Sequence, residues 1–216
     1  MSSAHTKAVN RSAPGRPKSH EKRQGIMCAA SRLFLRQGFE RTSMELVAKE
    51  SKVSKQTLYS HFANKEALYN AVIEDKCEFY RIDPTAAEMQ GQSVEKALQT
   101  LAFKYIQLLQ DSEVISMYRV VIAEAPLNKR MAELFYDAGP MHAVLTIVDV
   151  LHKHPQIQLP LEQAKPLAVD FFNLLKGSFH MQDLLNLAPS LNQAQQQAHA
   201  KQVSAKFIKL LPASKD

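Results

Sequence analysis

Residues 42–66, TSMELVAKESKVSKQTLYSHFANKE, constrain the fold most, because their pattern predicts two short helices joined by a tight turn. Thr42, with a glutamate three residues later, has the spacing of a capping box and is expected to start the first helix. Ser54 is expected to cap the second helix, in which Leu58 and Phe62 lie four residues apart on one apolar face. The other face of that helix carries hydrogen-bond donors: Lys55, Gln56, Thr57, Tyr59 and His61.

Two helices in this order are the frame of a helix-turn-helix, whose second helix enters the major groove of DNA by its N-terminal residues. We therefore predict that Lys55, Gln56 and Thr57 contact bases. Lysine can donate to guanine, glutamine can bond adenine, and a threonine methyl can touch thymine. A small helical hairpin with a solvated polar face has the same pattern, so the pattern alone leaves both interpretations open.

Charge is unevenly distributed along the chain. The net charge is +6, but residues 1–65 contain thirteen Lys and Arg against four Glu, whereas the remainder contains fourteen basic and seventeen acidic residues. Positive charge concentrated in the first third is typical of a protein in which only that part meets nucleic acid. A non-specific binder would spread its positive charge further.

Residues 1–20 are polar and are expected to form a disordered basic arm. Their Gly-Arg-Pro core is typical of arms that place an arginine in a narrow, A·T-rich minor groove. The arm residues predicted to contact DNA in this way are Arg11, Arg16 and Lys18. An inert tail is the alternative interpretation.

Helical periodicity continues to the end of the chain and no segment alternates with period two, so we predict an all-α fold. The predicted helices outside the 42–66 motif span residues 21–37, 65–81, 92–110, 114–125, 128–138, 141–152, 161–187 and 190–211. Gly38 is expected to stop the first of them, and Pro166 either starts or kinks the helix predicted over 161–187. Gly139-Pro140 is expected to interrupt the helical structure between two helices. Residues 114–125 are apolar nearly all round and are expected to form a central helix.

This organisation divides the chain into four parts. They are a basic arm (1–20), a three-helix head (21–66), a connector helix (67–84) and a larger helical body (85–216). The segment 167–187 carries more large apolar side chains than one flank of a small bundle needs: Phe171, Phe172, Leu174, Leu175, Phe179, Leu184 and Leu185. A self-complementary helix pair would bury the excess, which predicts a homodimer.

Enzyme chemistry is not indicated. The six glycines are isolated, so no phosphate-binding loop is present, and the sequence has no nucleophile-elbow or Cys-x-x-Cys motif. His152 and His154 are expected to lie free in water rather than to hold a metal. We therefore expect no cofactor, no metal and no catalytic residue.

The two cysteines and the hydropathy of the chain bear on its location. Cys28 and Cys77 suit a reducing compartment in which neither needs to pair. No apolar run approaches the roughly 18 residues of a membrane span, and the polar N-terminus lacks a secretory pattern. The sequence therefore predicts a cytoplasmic protein.

The run TSMELVAKESKVSKQTLYSHFANKEAL closely resembles the DNA-binding head of the TetR/AcrR family of bacterial transcriptional regulators. The turn departs from the family pattern, which usually has glycine where Lys52 stands, so Lys52 is expected to be left-handed at a cost of about 1 kcal/mol. The resemblance implies contacts to DNA phosphates from Thr42, Ser43, Ser54, Tyr59, His61 and Lys65. For Tyr59, a half-buried place in the core of the head is the alternative.

The runs VISMYRVVIAEAP and LFYDAGP resemble the C-terminal domain of the AefR-like subgroup of this family. That resemblance implies a homodimer on a palindromic operator and an effector pocket in the body. The candidate effector-binding residues are Tyr105, Met117, Tyr118, His142, Phe171, Phe172 and His180, each of which has plain core packing as its alternative.

The expected function is that of a sequence-specific regulator, most simply a repressor that a small, moderately apolar effector releases from DNA. The alternative is an architectural DNA-binding protein whose body only dimerises. A cavity in the body favours the regulator, and a fully packed body favours the architectural protein.

Overall fold

The computed structural model describes residues 17–80, 82–83, 91–187 and 189–212, and every regular element in these ranges is helical. The α-helices are α1 (Pro17–Gln37), α2 (Met44–Glu50), α3 (Lys55–His61), α4 (Lys65–Phe79), α5 (Val94–Leu109), α6 (Ser112–Glu124), α7 (Lys129–Tyr136), α8 (His142–Lys153), α9 (Leu161–Lys176), α10 (Phe179–Leu185) and α11 (Gln193–Ile208). The all-α prediction is confirmed. The predicted arm residues Arg11 and Arg16 lie outside the described ranges, as does the side chain of Lys18.

Local signals explain the turns of the head, with one correction. Ser43 caps α2, because its hydroxyl accepts the N–H of Leu46 at 3.2 Å. The prediction that Thr42 caps this helix is wrong: Thr42 is buried and its hydroxyl donates to the carbonyl of Gly38 at 2.8 Å. Ser54 caps α3 as predicted, and Lys52 has the expected left-handed conformation, with φ 56°.

The head does not have a core of its own. Its buried residues form one cluster with residues of α6 and α7, which belong to the predicted body; the latter are Met117, Val121, Met131, Leu134 and Phe135. At the centre of this cluster, the hydroxyl of Tyr69 points to the sulfur atoms of Met117 and Met131, at 3.6 and 3.5 Å. A second cluster fills the rest of the body, where α5 packs on α11 and α8 on α9.

Polar contacts also join the head to the turn between α6 and α7. The carboxylate of Glu124 accepts the backbone N–H of Phe39 at 3.2 Å. Arg130 donates from Nε and Nη2 to Glu66 at the start of α4, at 3.2 and 2.8 Å. Asn128 bonds Glu40. We call Glu124, Asn128 and Arg130 the head–body clamp.

Gly139-Pro140 does not interrupt the helical structure, so the prediction of a break between two helices is wrong. The backbone passes from α7 into α8 through a π-helical turn, Asp137–Met141, which accommodates the proline that an α-helix would not. The resulting continuous stretch Lys129–Lys153 is long and apolar enough for a membrane span by length and composition. Its apolar side chains, however, include core residues of both clusters, as in the core helix of a water-soluble protein.

The helix predicted over 161–187 is interrupted, because Gly177 has a positive φ of 49° between α9 and α10. A Cβ at this position would lie 3.1 Å from the ring of His199, which bonds the carbonyl of Leu175 at 2.9 Å. Pro166 lies inside α9 and does not start it. Much of the apolar excess of this segment packs within the subunit: Phe171, Phe172, Leu175 and Phe179 are buried, and Met181, Leu185 and Leu187 are exposed.

Two further predictions need correction. The helix predicted to be central, α6, buries only part of its surface, since Ile122 is 59% exposed. The histidines expected in water are bonded instead. His154 is buried, with Nε2 3.2 Å from the carbonyl of Gln92 and Nδ1 accepting the N–H of Gln156, and His152 bonds the carbonyl of Leu159.

Two glycines, Gly25 inside α1 and Gly38 directly after its last residue, provide a matched test of this packing. Gly38 stops α1 with φ 83°, and a Cβ there would lie 1.6 Å from Oε1 of Glu124. We expect Gly38→Ala to lower the free energy of unfolding by about 1–3 kcal/mol, through backbone strain and displacement of Glu124. Gly25 is exposed inside α1 with nothing within 4 Å of its Cβ position, so Gly25→Ala should raise stability by about 0.5–1 kcal/mol. Urea unfolding measures both, and equal effects would contradict this account of Gly38.

Candidate DNA-binding interface and internal cavity

The N-terminal end of α3 presents the residues predicted to contact bases. Lys55 and Gln56 are exposed, and Thr57 is half-buried with its hydroxyl 2.9 Å from that of Ser54. Tyr59 is 47% exposed, so about half of its side chain faces solvent. A lysine, an amide and an aromatic hydroxyl therefore stand on one solvent-facing surface of the head.

Lys55 is not free on this surface. Its ammonium lies 3.1 Å from Oε1 of Glu45 on α2, and both side chains are more than half exposed. The pKa of Glu45 is lowered, first by a hydrogen bond from its own backbone N–H and then by Lys55. Because solvent screens such a pair, it adds little to stability, and Lys55 can exchange Glu45 for an acceptor on DNA.

The predicted phosphate contacts fall into two groups. The hydroxyls of Ser43 and Ser54 are exposed helix caps beside orphan backbone N–H groups, and His61 is half-buried at the end of α3. Thr42 cannot present its hydroxyl in this conformation, because it is buried and bonded inside the head. Lys65 is also engaged: its ammonium donates to the carbonyl of Phe39 at 2.8 Å and lies 4.1 Å from the centre of that ring.

An apolar cavity of about 60 Å³ lies between the head, the connector and the body. Four of the seven predicted effector residues line it: Tyr105, Met117, Tyr118 and Phe172. The other three lie elsewhere: Phe171 packs at a tilt against Phe207 in the body core, His142 faces Asp83 at the surface, and His180 packs edge-on against Tyr118 outside the lining. The predicted set therefore covers the cavity walls on α5, α6 and α9, and its role in effector binding stays a prediction.

The sequence interpretation missed two walls of this cavity. One is the connector, which contributes Val72, Ile73, Lys76 and Cys77. The other is the π-helical turn, through Gly139 and Pro140. The apolar face of α4 was visible in the sequence but also suits core packing. The π-helical turn was read as a break, although such turns often occur at functional sites.

The tyrosines of the cavity keep their protons. Burial raises the pKa of Tyr105 and that of Tyr118 above the ordinary range. The hydroxyl of Tyr105 donates to the carbonyl of Ala143 at 3.1 Å, which holds α5 against α8. The lining is otherwise almost entirely apolar, so the cavity suits an uncharged, apolar guest.

His180 is buried beside this cavity, and its Nδ1 has no hydrogen-bond partner among the described residues. Burial, and after it the charge of Lys176, lowers the pKa of His180 to about 4, against the opposing effect of Asp183. The imidazole is therefore neutral at physiological pH. No group of three or more potential metal ligands occurs among the described residues.

The lowered pKa of His180 predicts how stability depends on pH. Because the pKa of His180 in the folded protein lies below the unfolded value of 6.5, the stability that the neutral imidazole contributes is complete above pH 6.5. This stability is lost as the pH falls toward 4. We expect the wild type to lose about 1–2 kcal/mol of unfolding free energy between pH 7 and pH 5 relative to His180→Phe, which keeps an aromatic ring against Tyr118. Denaturant unfolding at several pH values measures this difference, and parallel pH profiles would contradict it.

Comparisons with known proteins agree with the architecture. Residues 26–72 match the family of bacterial regulatory proteins named after TetR, and residues 96–209, more than half of the chain, match the AefR-like transcriptional repressor C-terminal domain. Among solved structures, a TetR-family transcriptional regulator from Mesorhizobium loti superposes with a TM-score of 0.71 at 24% identity, over 92% of this chain and all of that one. The flavonoid-responsive regulator FrrA gives 0.66 at 27% identity, over 90% and 100%.

Sequence relatives match over shorter stretches. The transcriptional repressor ComR of Escherichia coli is 35% identical over 104 residues, which cover 45% of this chain and 46% of ComR. The uncharacterised regulator YdeS of Bacillus subtilis is 29% identical over 119 residues, which cover 55% and 57%. The chain therefore spans less than two thirds of the length of these relatives.

Proposed function

Because the chain belongs to the TetR family of bacterial transcriptional regulators, whose members bind DNA and are commonly repressors, we propose that it represses genes from a palindromic operator and leaves it when an effector binds. The repressor assignment follows the AefR-like match and the relative ComR. The protein acts in the cytoplasm, without a cofactor and away from the membrane.

In this proposal the exposed end of α3 reads the operator. Lys55, Gln56 and Thr57 contact bases, and Ser43, Ser54, Tyr59 and His61 contact phosphates. Lys65 adds a phosphate contact only if it releases Phe39, and Thr42 supports the loop from inside. The arm residues Arg11 and Arg16 enter the adjacent minor groove, whereas Lys18 lies in the first turn of α1.

The observation that carries the effector proposal is the position of the cavity. Its wall includes Ser31 of the head and Val72 of the connector, together with Met117 of the body. The sulfur of Met117 also accepts a hydrogen bond from the hydroxyl of Tyr69, in the core that the head shares with α6 and α7. A guest in the cavity therefore touches the elements that position the head.

The small volume of the cavity strengthens this argument. Sites for small molecules usually measure about 300–1,000 Å³, whereas this cavity measures about 60 Å³. An effector must therefore displace the walls, and α1 and α4 are among them. The ligand shifts the equilibrium only by the difference between its affinities for the two arrangements.

Two heads act together on the operator. Recognition helices of a homodimer must lie roughly 34–36 Å apart to enter successive major grooves, so a small displacement of each head removes one of them from register. The exposed apolar residues Met181, Leu185 and Leu187 are available for contact with a second subunit. The effector is small and moderately apolar; FrrA, at 27% identity, responds to flavonoids, which are compatible with an apolar wall.

The architectural alternative retains one supporting observation, namely that the cavity is small and the body is otherwise packed. In that case the body would only dimerise. Apolar compounds that release the protein from its operator favour the regulator, and the absence of release by any compound that enters the cavity favours the architectural protein.

The DNA-binding proposal can be tested by selecting bound duplexes from a random pool. We expect a palindrome to be enriched, and Lys55→Ala to cost about 1–3 kcal/mol on it and to relax the preference at one base pair. Lys49→Ala removes an exposed lysine from the last turn of α2 and serves as the matched control, with an equal effect on all sequences. Failure to enrich any sequence would contradict the proposal, and a changed base preference in Lys49→Ala alone would contradict the orientation of α3.

A further inference from the structure

A surface groove of about 440 Å³ lies next to the apolar cavity. Four residues line both spaces, and they come from three helices: Ser31 of α1, Val72 and Lys76 of α4, and Glu113 of α6. These residues therefore form the partition between the cavity and the groove.

The partition is held by an ion pair. Nζ of Lys76 lies 2.9 Å from Oε2 of Glu113 and 3.3 Å from Oδ2 of Asp111. Asp111 is fixed more firmly than Glu113, since it also accepts the hydroxyl of Tyr80 at 2.9 Å and the backbone N–H groups that begin α6. Lys76 thus has one fixed partner and one that is 53% exposed.

This asymmetry makes opening inexpensive. When Glu113 turns into water it is solvated, and Lys76 keeps the carboxylate of Asp111. No charge is left buried without a partner, which is the event that makes breaking an ion pair costly. What then remains of the partition is Lys76, Val72 and the small side chain of Ser31.

We propose that the Lys76–Glu113 pair is the gate through which a small, uncharged apolar ligand passes from the groove into the cavity. The ligand is uncharged because the walls beyond the pair are almost entirely apolar, and a buried charge there would lack a partner. The inference rests on the proposed function insofar as the cavity is the effector site. A ligand that enters by this route passes between α4 and α6 and so contacts the connector.

The two cysteines of the chain lie on opposite sides of this gate. Cys28 lines the groove and is exposed, whereas Cys77 lines the cavity and is buried. Burial, followed by the charges of Asp83 and Glu74, raises the pKa of Cys77 to about 11. Glu113 is not among the causes, so its substitution should leave the ionisation of this thiol unchanged.

The test is the rate at which methyl methanethiosulfonate, a small uncharged reagent, modifies each thiol of the full chain, followed by peptide mass spectrometry. Glu113→Gln should accelerate modification of Cys77 at least about threefold and leave Cys28 unchanged, given the strength of a partly exposed ion pair. Glu95→Gln is the matched control, because Glu95 is also an exposed acid in the first turn of a helix but lies away from the gate. It should change neither rate.

Ser31→Leu places a larger side chain in the same partition and so narrows the opening. It should therefore slow modification of Cys77 relative to the wild type. Urea unfolding of each variant separates gating from loss of stability. General opening of the protein would increase the rate of Cys77 modification in proportion to the loss of unfolding free energy. An unchanged Cys77 rate in Glu113→Gln, or equal acceleration in Glu95→Gln, overturns the gate. These rates are measured without DNA and therefore test the gate alone. If the variants behave as expected but no apolar ligand releases the protein from DNA, the gate stands and only the proposed function is contradicted.

Discussion

The contact of Tyr69 with Met117 and Met131 is the interaction on which the rest of the arrangement depends. It places a side chain of the connector inside the body and makes the core of the head continuous with α6 and α7. A three-helix head of about 45 residues would bury little apolar surface alone. By sharing a core with the body, the head acquires stability and also a fixed orientation, so that its position is a property of the whole chain.

The cavity lies next to that shared core. Met117 lines the cavity and also belongs to the shared core, and the head–body clamp of Glu124, Asn128 and Arg130 continues the contact to the surface. A change in α6 therefore reaches the head by two routes: through the connector, and through the turn between α6 and α7. The second route, through the turn between α6 and α7, does not involve the connector.

Features set by neighbouring residues could be predicted from the sequence, and features set by distant contacts could not. The cap at Ser54 and the stop at Gly38 follow from local residue preferences, whereas the left-handed Lys52 is expected from the glycine that the family usually has there; the structure has all three. The choice of Ser43 over Thr42 as a cap depends on the burial of Thr42 beneath the head. The π-helical turn at Pro140 and the interruption at Gly177 depend on packing against α4 and on His199. In the cavity, residue type selected the lining residues Tyr105 and Phe172, but it also selected Phe171, which packs in the core of the body instead.

Native-state hydrogen exchange of the free protein tests most directly the claim that head and body share one core. The account predicts that the most protected amides of α1, α4, α6 and α7 open with the same free energy, and that Met131→Ala lowers this value equally in all four helices. If the amides of α1 and α4 instead open together at a lower free energy than those of α6 and α7, and Met131→Ala affects α7 alone, the head is an independent unit and the account is contradicted.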